Sequence, residues 1–127
     1  MNMDENEISY RIRGAIFTVY NALGPGLLES VYELVLAHVL TENGLDVKRQ
    51  VSLPVRFDDI VLDGGYRIDL LINDLVIVEI KSVEMIKSLH HLQLLTYLKL
   101  SGLKLGLLVN FNCSNISDSI FRKVNGL

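Results

Sequence analysis

Charged residues inside apolar runs are the first sign of chemistry in this chain of 127 residues. The run Val76-Ile77-Val78-Glu79-Ile80-Lys81 carries a carboxylate and an ammonium among branched aliphatic side chains. Residues two apart on a strand face the same side, so Glu79 and Lys81 share one face. Burying either charge alone is costly, so each must be paired, bound to a metal or set at a cleft. The preceding apolar run has a matching anomaly, Asp69 between Ile68 and Leu70. Whether Asp69 meets Glu79 depends on the turn between them. A two-residue loop at Asn73-Asp74 sets Asp69 opposite Val78, whereas a three-residue loop, Asn73 to Leu75, sets it opposite Glu79. Two carboxylates and a lysine converging at a hairpin would make an oxygen-ligand site for a hard divalent cation. Magnesium takes one or two protein carboxylates and keeps several waters, one of which can act as nucleophile. The cation would polarise a phosphoryl oxygen and acidify bound water, and a lysine could orient that water. The same three residues also suit a buried ion-pair cluster or a solvated sheet face.

Two further positions bear on the choice. Glu29 falls in the first turn of a helix, where an acid is favoured by the helix dipole in any case. Gln93 and Tyr97 are four apart, hence on one face of a leucine-rich helix; a wet edge on an amphipathic helix explains them equally well. Tyr32, three residues after Glu29, either bonds that acid or packs in its helix. His38 reads as a partly buried structural histidine and Cys113 as an inert loop thiol.

The elements that must position these residues follow from hydrophobic period. Ile8, Ile12, Ala15, Ile16, Val19, Tyr20 and Leu23 repeat at offsets of three and four, as do Leu28, Val31, Tyr32, Val35, Leu36 and Val39. Gly24-Pro25-Gly26 breaks the chain between them, and Asn43-Gly44 ends the second, so the first third reads as a helical hairpin. Val51, Leu53, Val55 and Phe57 alternate as a strand that stops at Asp58-Asp59, and Asp63-Gly64-Gly65 is a turn. The runs 66–72 and 75–80 are nearly continuously apolar, which predicts strands buried on both faces at the centre of a sheet. Residues 87–101 return to helical spacing, with Leu89, Leu92, Leu95 and Leu98 inside and Gly102 as the stop. Leu105 to Phe111 reads as another buried strand, with a short edge strand at Ile120 to Val124. The order is α-α-β-β-β-α-β, an α/β sandwich of one sheet with helices packed on it, in one domain over 1–127.

Composition narrows the function classes. With 50% hydrophobic and 21% charged residues the chain is neither disordered nor of low complexity. The net charge of −3 excludes a protein that coats nucleic acid by bulk charge. The charge is uneven, however: residues 1–63 carry ten acids and five bases, and residues 64–127 carry five acids and seven bases. An anionic partner should look first to the second half. One cysteine allows no intrachain disulfide, and no paired histidine motif suggests zinc. The acidic start is unlike a targeting peptide, and no charge-free run reaches the ~18 residues of a membrane span. The expectation is a soluble, cytoplasmic protein with no membrane partner.

Taken together, these residues resemble the GxxExxY proteins, a group within the PD-(D/E)XK nuclease superfamily. The name motif stands as Gly26-Leu27-Leu28-Glu29-Ser30-Val31-Tyr32. The likeness continues through the Asp69 strand, Glu79-Ile80-Lys81, the segment His90 to Lys99, Gly102 to Phe111 and the tail Arg122 to Gly126. The one departure is Asn112-Cys113-Ser114, where the group more often has a glycine after the Asn-Phe pair. The resemblance implies a restriction-endonuclease-like core with a central mixed sheet flanked by helices. It implies that Asp69 and Glu79 bind Mg²⁺ or Mn²⁺ together with the backbone carbonyl of Ile80. Lys81 would position the attacking water, and Glu29 would complete the metal shell directly or through water. Gln93 and Tyr97 resemble a QxxxY motif that helps hold the site and the nucleic acid, and His90 matches a position near them. The function implied is a metal-dependent nuclease acting on nucleic acid, DNA before RNA. A homodimer would let two sites face one duplex. The competing expectation is a catalytically silent module of the same fold that binds nucleic acid or a partner protein.

Overall fold

The computed structural model describes residues 3–127. Helix α1 spans Glu5–Leu23, capped by the Asp4 carboxylate, which accepts from the Glu7 N–H at 2.9 Å. It ends at Gly24, whose φ of 67° favours glycine. Helix α2 spans Glu29–Glu42 and ends at Asn43, followed by Gly44 in the left-handed region. Strands β1 (Val47–Ser52), β4 (Arg67–Ile72), β5 (Val76–Lys81), β6 (Leu105–Asn110) and β7 (Ile120–Val124) form one sheet. Between β1 and β4 a small hairpin pairs β2 (Val55–Phe57) with β3 (Ile60–Leu62). Helix α3 (Ser88–Ser101) crosses from β5 to β6 and ends at Gly102 with φ 74°.

The sheet order is β1-β4-β5-β6-β7, with β5 and β6 parallel and every other neighbouring pair antiparallel. A parallel pair needs a crossover connection, and α3 supplies it. Helices α1 and α2 cover one face: Ile8, Ile12, Ile16, Tyr32, Leu36 and Leu40 pack on Leu70, Ile72, Val78, Ile80, Leu107 and Val109. Helix α3 covers the other face, where Leu94, Tyr97 and Leu98 pack on Ile77 and Leu108. This is the mixed α/β architecture, and the apolar strands β5 and β6 lie inside it as their composition implies. Gly106 lets α3 approach closely, since a Cβ there would stand 2.7 Å from Leu94 Cδ1.

Four local expectations are corrected. The alternation through Val51 to Phe57 is not one strand: Leu53-Pro54 separates β1 from the extra hairpin, because proline has no N–H to donate to a ladder. The inner face of α3 is Leu94, Tyr97 and Leu98, while Leu89 and Leu92 are 70% and 56% exposed. A tyrosine joins two leucines in the buried stripe, and of the expected repeat only Leu98 is fully buried. Leu28 is the exposed residue preceding α2 rather than part of its apolar face. His38 is exposed and not partly buried, since it lies on the solvent side of α2 opposite Leu36 and Leu40. No helix among the described residues is long and apolar enough to cross a membrane.

Candidate functional site

The β4–β5 turn decides the geometry of the acids. Partners run Ile72↔Val76, Leu71↔Ile77 and Leu70↔Val78, so the loop is Asn73, Asp74 and Leu75. Asn73 and Asp74 take φ of 53° and 56°, which Asn and Asp tolerate better than most side chains. This three-residue loop brings Asp69 level with Glu79. Beyond Leu70↔Val78 the bonds between the strands run through the carboxylates. The Asp69 N–H donates to Glu79 Oε2 and the Ile80 N–H donates to Asp69 Oδ2, each at 2.8 Å. Each acid therefore closes the ladder with one oxygen; the other oxygen of Glu79 accepts no bond among the described residues, and that of Asp69 accepts only a long one from Gln50 Nε2, at 3.4 Å.

The environment is hostile to two negative charges. Glu79 is 4% exposed, and burial first, then the Asp69 charge, push its carboxyl up to about 8. Asp69 is also raised, chiefly by burial, with the Ile80 N–H opposing the shift. Among the described residues neither acid makes an ion pair with Lys, Arg or His, and Lys81 makes none either. A buried ion-pair cluster is thus not what these three residues form.

The Gly26-x-x-Glu29-x-x-Tyr32 segment serves as a clamp on the end of β5. Gly26 has φ 100°, turning the chain so that Glu29 becomes the first residue of α2. Glu29 Oε2 accepts from the Ser82 N–H at 3.1 Å, and Ser82 Oγ donates to the Leu27 carbonyl at 2.6 Å. Tyr32 does not bond the acid. Its hydroxyl donates to the Gly24 carbonyl at 2.5 Å and accepts from the Leu27 N–H at 3.1 Å, while its ring stacks on Phe111 at 4.3 Å. Glu29 is thereby held beside the residue that follows Lys81.

Three residues enter that sequence reasoning passed over. Glu33 is 5% exposed and accepts from Arg49 Nη2 at 3.0 Å and from Gln50 Nε2 at 2.6 Å. Gln50 also reaches Asp69 Oδ1 at 3.4 Å, from a backbone with φ 53°. Glu29, Glu33, Arg49, Gln50 and Asp69 line a cleft of about 420 Å³. The available signal for Glu33 was its spacing of four from Glu29, which places both on one helix face. Asn110 ends the wholly buried β6 and ties down the segment after Lys81. Its Oδ1 accepts from the Val83 N–H at 3.0 Å and its Nδ2 donates to the Val83 carbonyl at 2.9 Å.

On the opposite face, Gln93 Nε2 donates to the Tyr97 hydroxyl at 3.0 Å. Burial raises the Tyr97 hydroxyl, and the charges of Glu79 and Asp69 add to the rise. His90 lies elsewhere in α3: its Nδ1 accepts from the Lys87 N–H at 3.0 Å and caps the helix.

The donors fit a small hard cation: two carboxylates side by side, with no ion pair to either among the described residues. Among the described residues no three His, Cys, Asp or Glu converge on one point. Comparison with known proteins yields one family, since residues 6–123 match the model of the PD-(D/E)XK nuclease superfamily. No curated protein and no solved structure gives a significant match.

Proposed function

The chain belongs to the PD-(D/E)XK nuclease superfamily, and from that premise we propose that it is a metal-dependent nuclease that hydrolyses phosphodiester bonds. In finer terms it is a GxxExxY-type enzyme using Mg²⁺ or Mn²⁺ on DNA. The observation that carries this reading is the Asp69–Glu79 exchange at the end of the β4–β5 ladder. It holds two acids side by side with no ion-pair partner among the described residues. Asp69, Glu79 and the carbonyl of Ile80 would hold the divalent ion, with Glu29 bordering it from α2. When bound, that ion supplies Lewis-acid polarisation of a phosphoryl oxygen and acidifies water. Lys81, free of acidic partners among the described residues, orients the attacking water and offsets charge growing on the phosphoryl oxygens. Gln93 and Tyr97 hold the strand beside the acids.

Asp69→Ala should abolish cleavage of single-stranded, duplex and RNA substrates while leaving the melting transition intact. Wild-type protein that leaves all three untouched with either ion loses the enzymatic reading. One observation favours a second reading, a silent module: among the described residues no third acidic ligand converges on the pair. Calorimetric titration with Mn²⁺ separates the two. The nuclease binds the ion and the Glu79→Ala variant does not; the silent module binds none.

A further inference from the structure

Beyond Gln93 and Tyr97 the surface opens into an apolar groove of about 390 Å³ between α3 and the start of β4. Tyr66, Leu89, Leu92 and Leu100 wall it, Thr96 lies in it, and Gln93 and Tyr97 are shared with the site already described. Leu89, Leu92 and the half-exposed Tyr66 put three large apolar side chains in water around this one groove. Tyr66 stands edge-on to Tyr97, ring centres 6.2 Å apart, forming an aromatic corner.

A second cleft of about 530 Å³ meets the groove at Leu100 and is lined by Arg56, Lys99 and Asp74, the last already paired with Lys48 at 2.7 Å. Neither cation has an acidic partner within ion-pairing distance among the described residues. In a chain of net charge −3, that places positive charge beside the exposed aromatic surface. A flat, apolar group attached to an anionic backbone satisfies both features; an apolar peptide would leave the cations unused.

We propose that the groove seats an unstacked base of single-stranded nucleic acid, with Arg56 and Lys99 receiving its backbone phosphates. The substrate is then an unpaired strand, because a base inside a duplex cannot leave its stack to enter the groove without cost. This deepens the nuclease reading by naming the substrate class, but its binding test does not depend on cleavage.

The test is fluorescence anisotropy in EDTA with a short labelled single-stranded DNA, the matching RNA, the blunt duplex and single strands carrying one abasic site. The single strand should bind at least ~10-fold more tightly than the duplex, and the DNA and RNA arms identify the sugar it accepts. Tyr66→Ala should weaken it about 5- to 150-fold, the range for losing one base–aromatic stack, and Leu92→Ala should weaken it by a smaller but measurable factor. Tyr66→Phe should retain affinity. One abasic position should reproduce the loss and add nothing to Tyr66→Ala. Leu92 is solvent-exposed, so its variant tests the groove even where a Tyr66 variant disturbs folding. Protein that binds by these rules yet cleaves nothing with Mg²⁺ or Mn²⁺ supports the groove and removes the nuclease reading. Protein that cleaves, with both alanine variants and the abasic strands unchanged, overturns the groove and leaves the nuclease. Equal affinity for duplex and single strand with no effect of either variant also overturns it, and frees this face for an apolar peptide.

Discussion

Replacing Glu79 by Gln should make the metal-free protein more stable at alkaline pH. Glu79 is 4% exposed, and its carboxyl is pushed from 4.5 to about 8 by burial and by the Asp69 charge. An acid raised on folding holds its proton more tightly in the folded state. Its contribution to stability is therefore full below the unfolded value of 4.5 and is lost as pH rises through about 8. A tenfold change in proton affinity corresponds to about 1.4 kcal/mol, so ionising Glu79 without a metal costs on the order of 5 kcal/mol, shared with Asp69 as a coupled pair. For a domain of this size that is roughly 10–20 °C in melting temperature. Glutamine keeps an oxygen to accept from the Asp69 N–H but carries no charge. The assay is thermal melting of wild type and Glu79→Gln in EDTA between pH 5 and pH 9. Wild type should lose stability relative to the variant across that window, and Mn²⁺ at the upper end should restore wild type alone. A variant that melts with the same pH dependence as wild type, or below it at pH 9, would refute the assignment of Glu79 as a buried, unpaired charge.

Other outcomes follow from the same geometry. Glu33→Gln keeps a hydrogen-bond acceptor for Gln50 but removes a charge that raises both Asp69 and Glu79, so the pH midpoint of Mn²⁺ binding should move down. Tyr32→Phe loses the bonds to Gly24 and Leu27 while keeping the stack on Phe111. It should cost about 1–2 kcal/mol in denaturant melts and loosen Glu29. Gly106→Ala pushes a methyl into Leu94 and should cost about 1–3 kcal/mol, read by the same melts. His38→Ala, on the exposed side of α2, should change stability by no more than about 0.5 kcal/mol.

Much of the fold was legible because period and breakers act locally. The α1 and α2 stripes, the Gly24-Pro25-Gly26 break and the Gly102 stop are properties of neighbouring residues, and the structure has them. The strand reading failed at Leu53-Pro54, where a run of alternation continued through a residue that cannot join a ladder. In α3 the leucine repeat was right at Leu98 and wrong at Leu89 and Leu92, because the helix packs with Leu94 and Tyr97 inward, close to Gly106. Glu33, Gln50 and Asn110 went unread because their partners are distant in sequence: Glu33 is 16 residues from Arg49, and Asn110 is 27 from Val83.

The strand acids mark the division between what is local and what is not. By itself the sequence determined that Asp69, Glu79 and Lys81 interrupt apolar strands, and that such charges need a partner or a cleft. It left the register of those strands undecided. Both are apolar on both faces, so either turn length would bury similar side chains. Tertiary packing chose between them. With Leu70, Ile72, Val76, Val78 and Ile80 all facing α1 and α2, the loop must hold three residues. In that register Asp69 meets Glu79. One residue fewer would have set Asp69 against Val78, because side chains alternate with a period of two and a single slip moves every one of them to the other face.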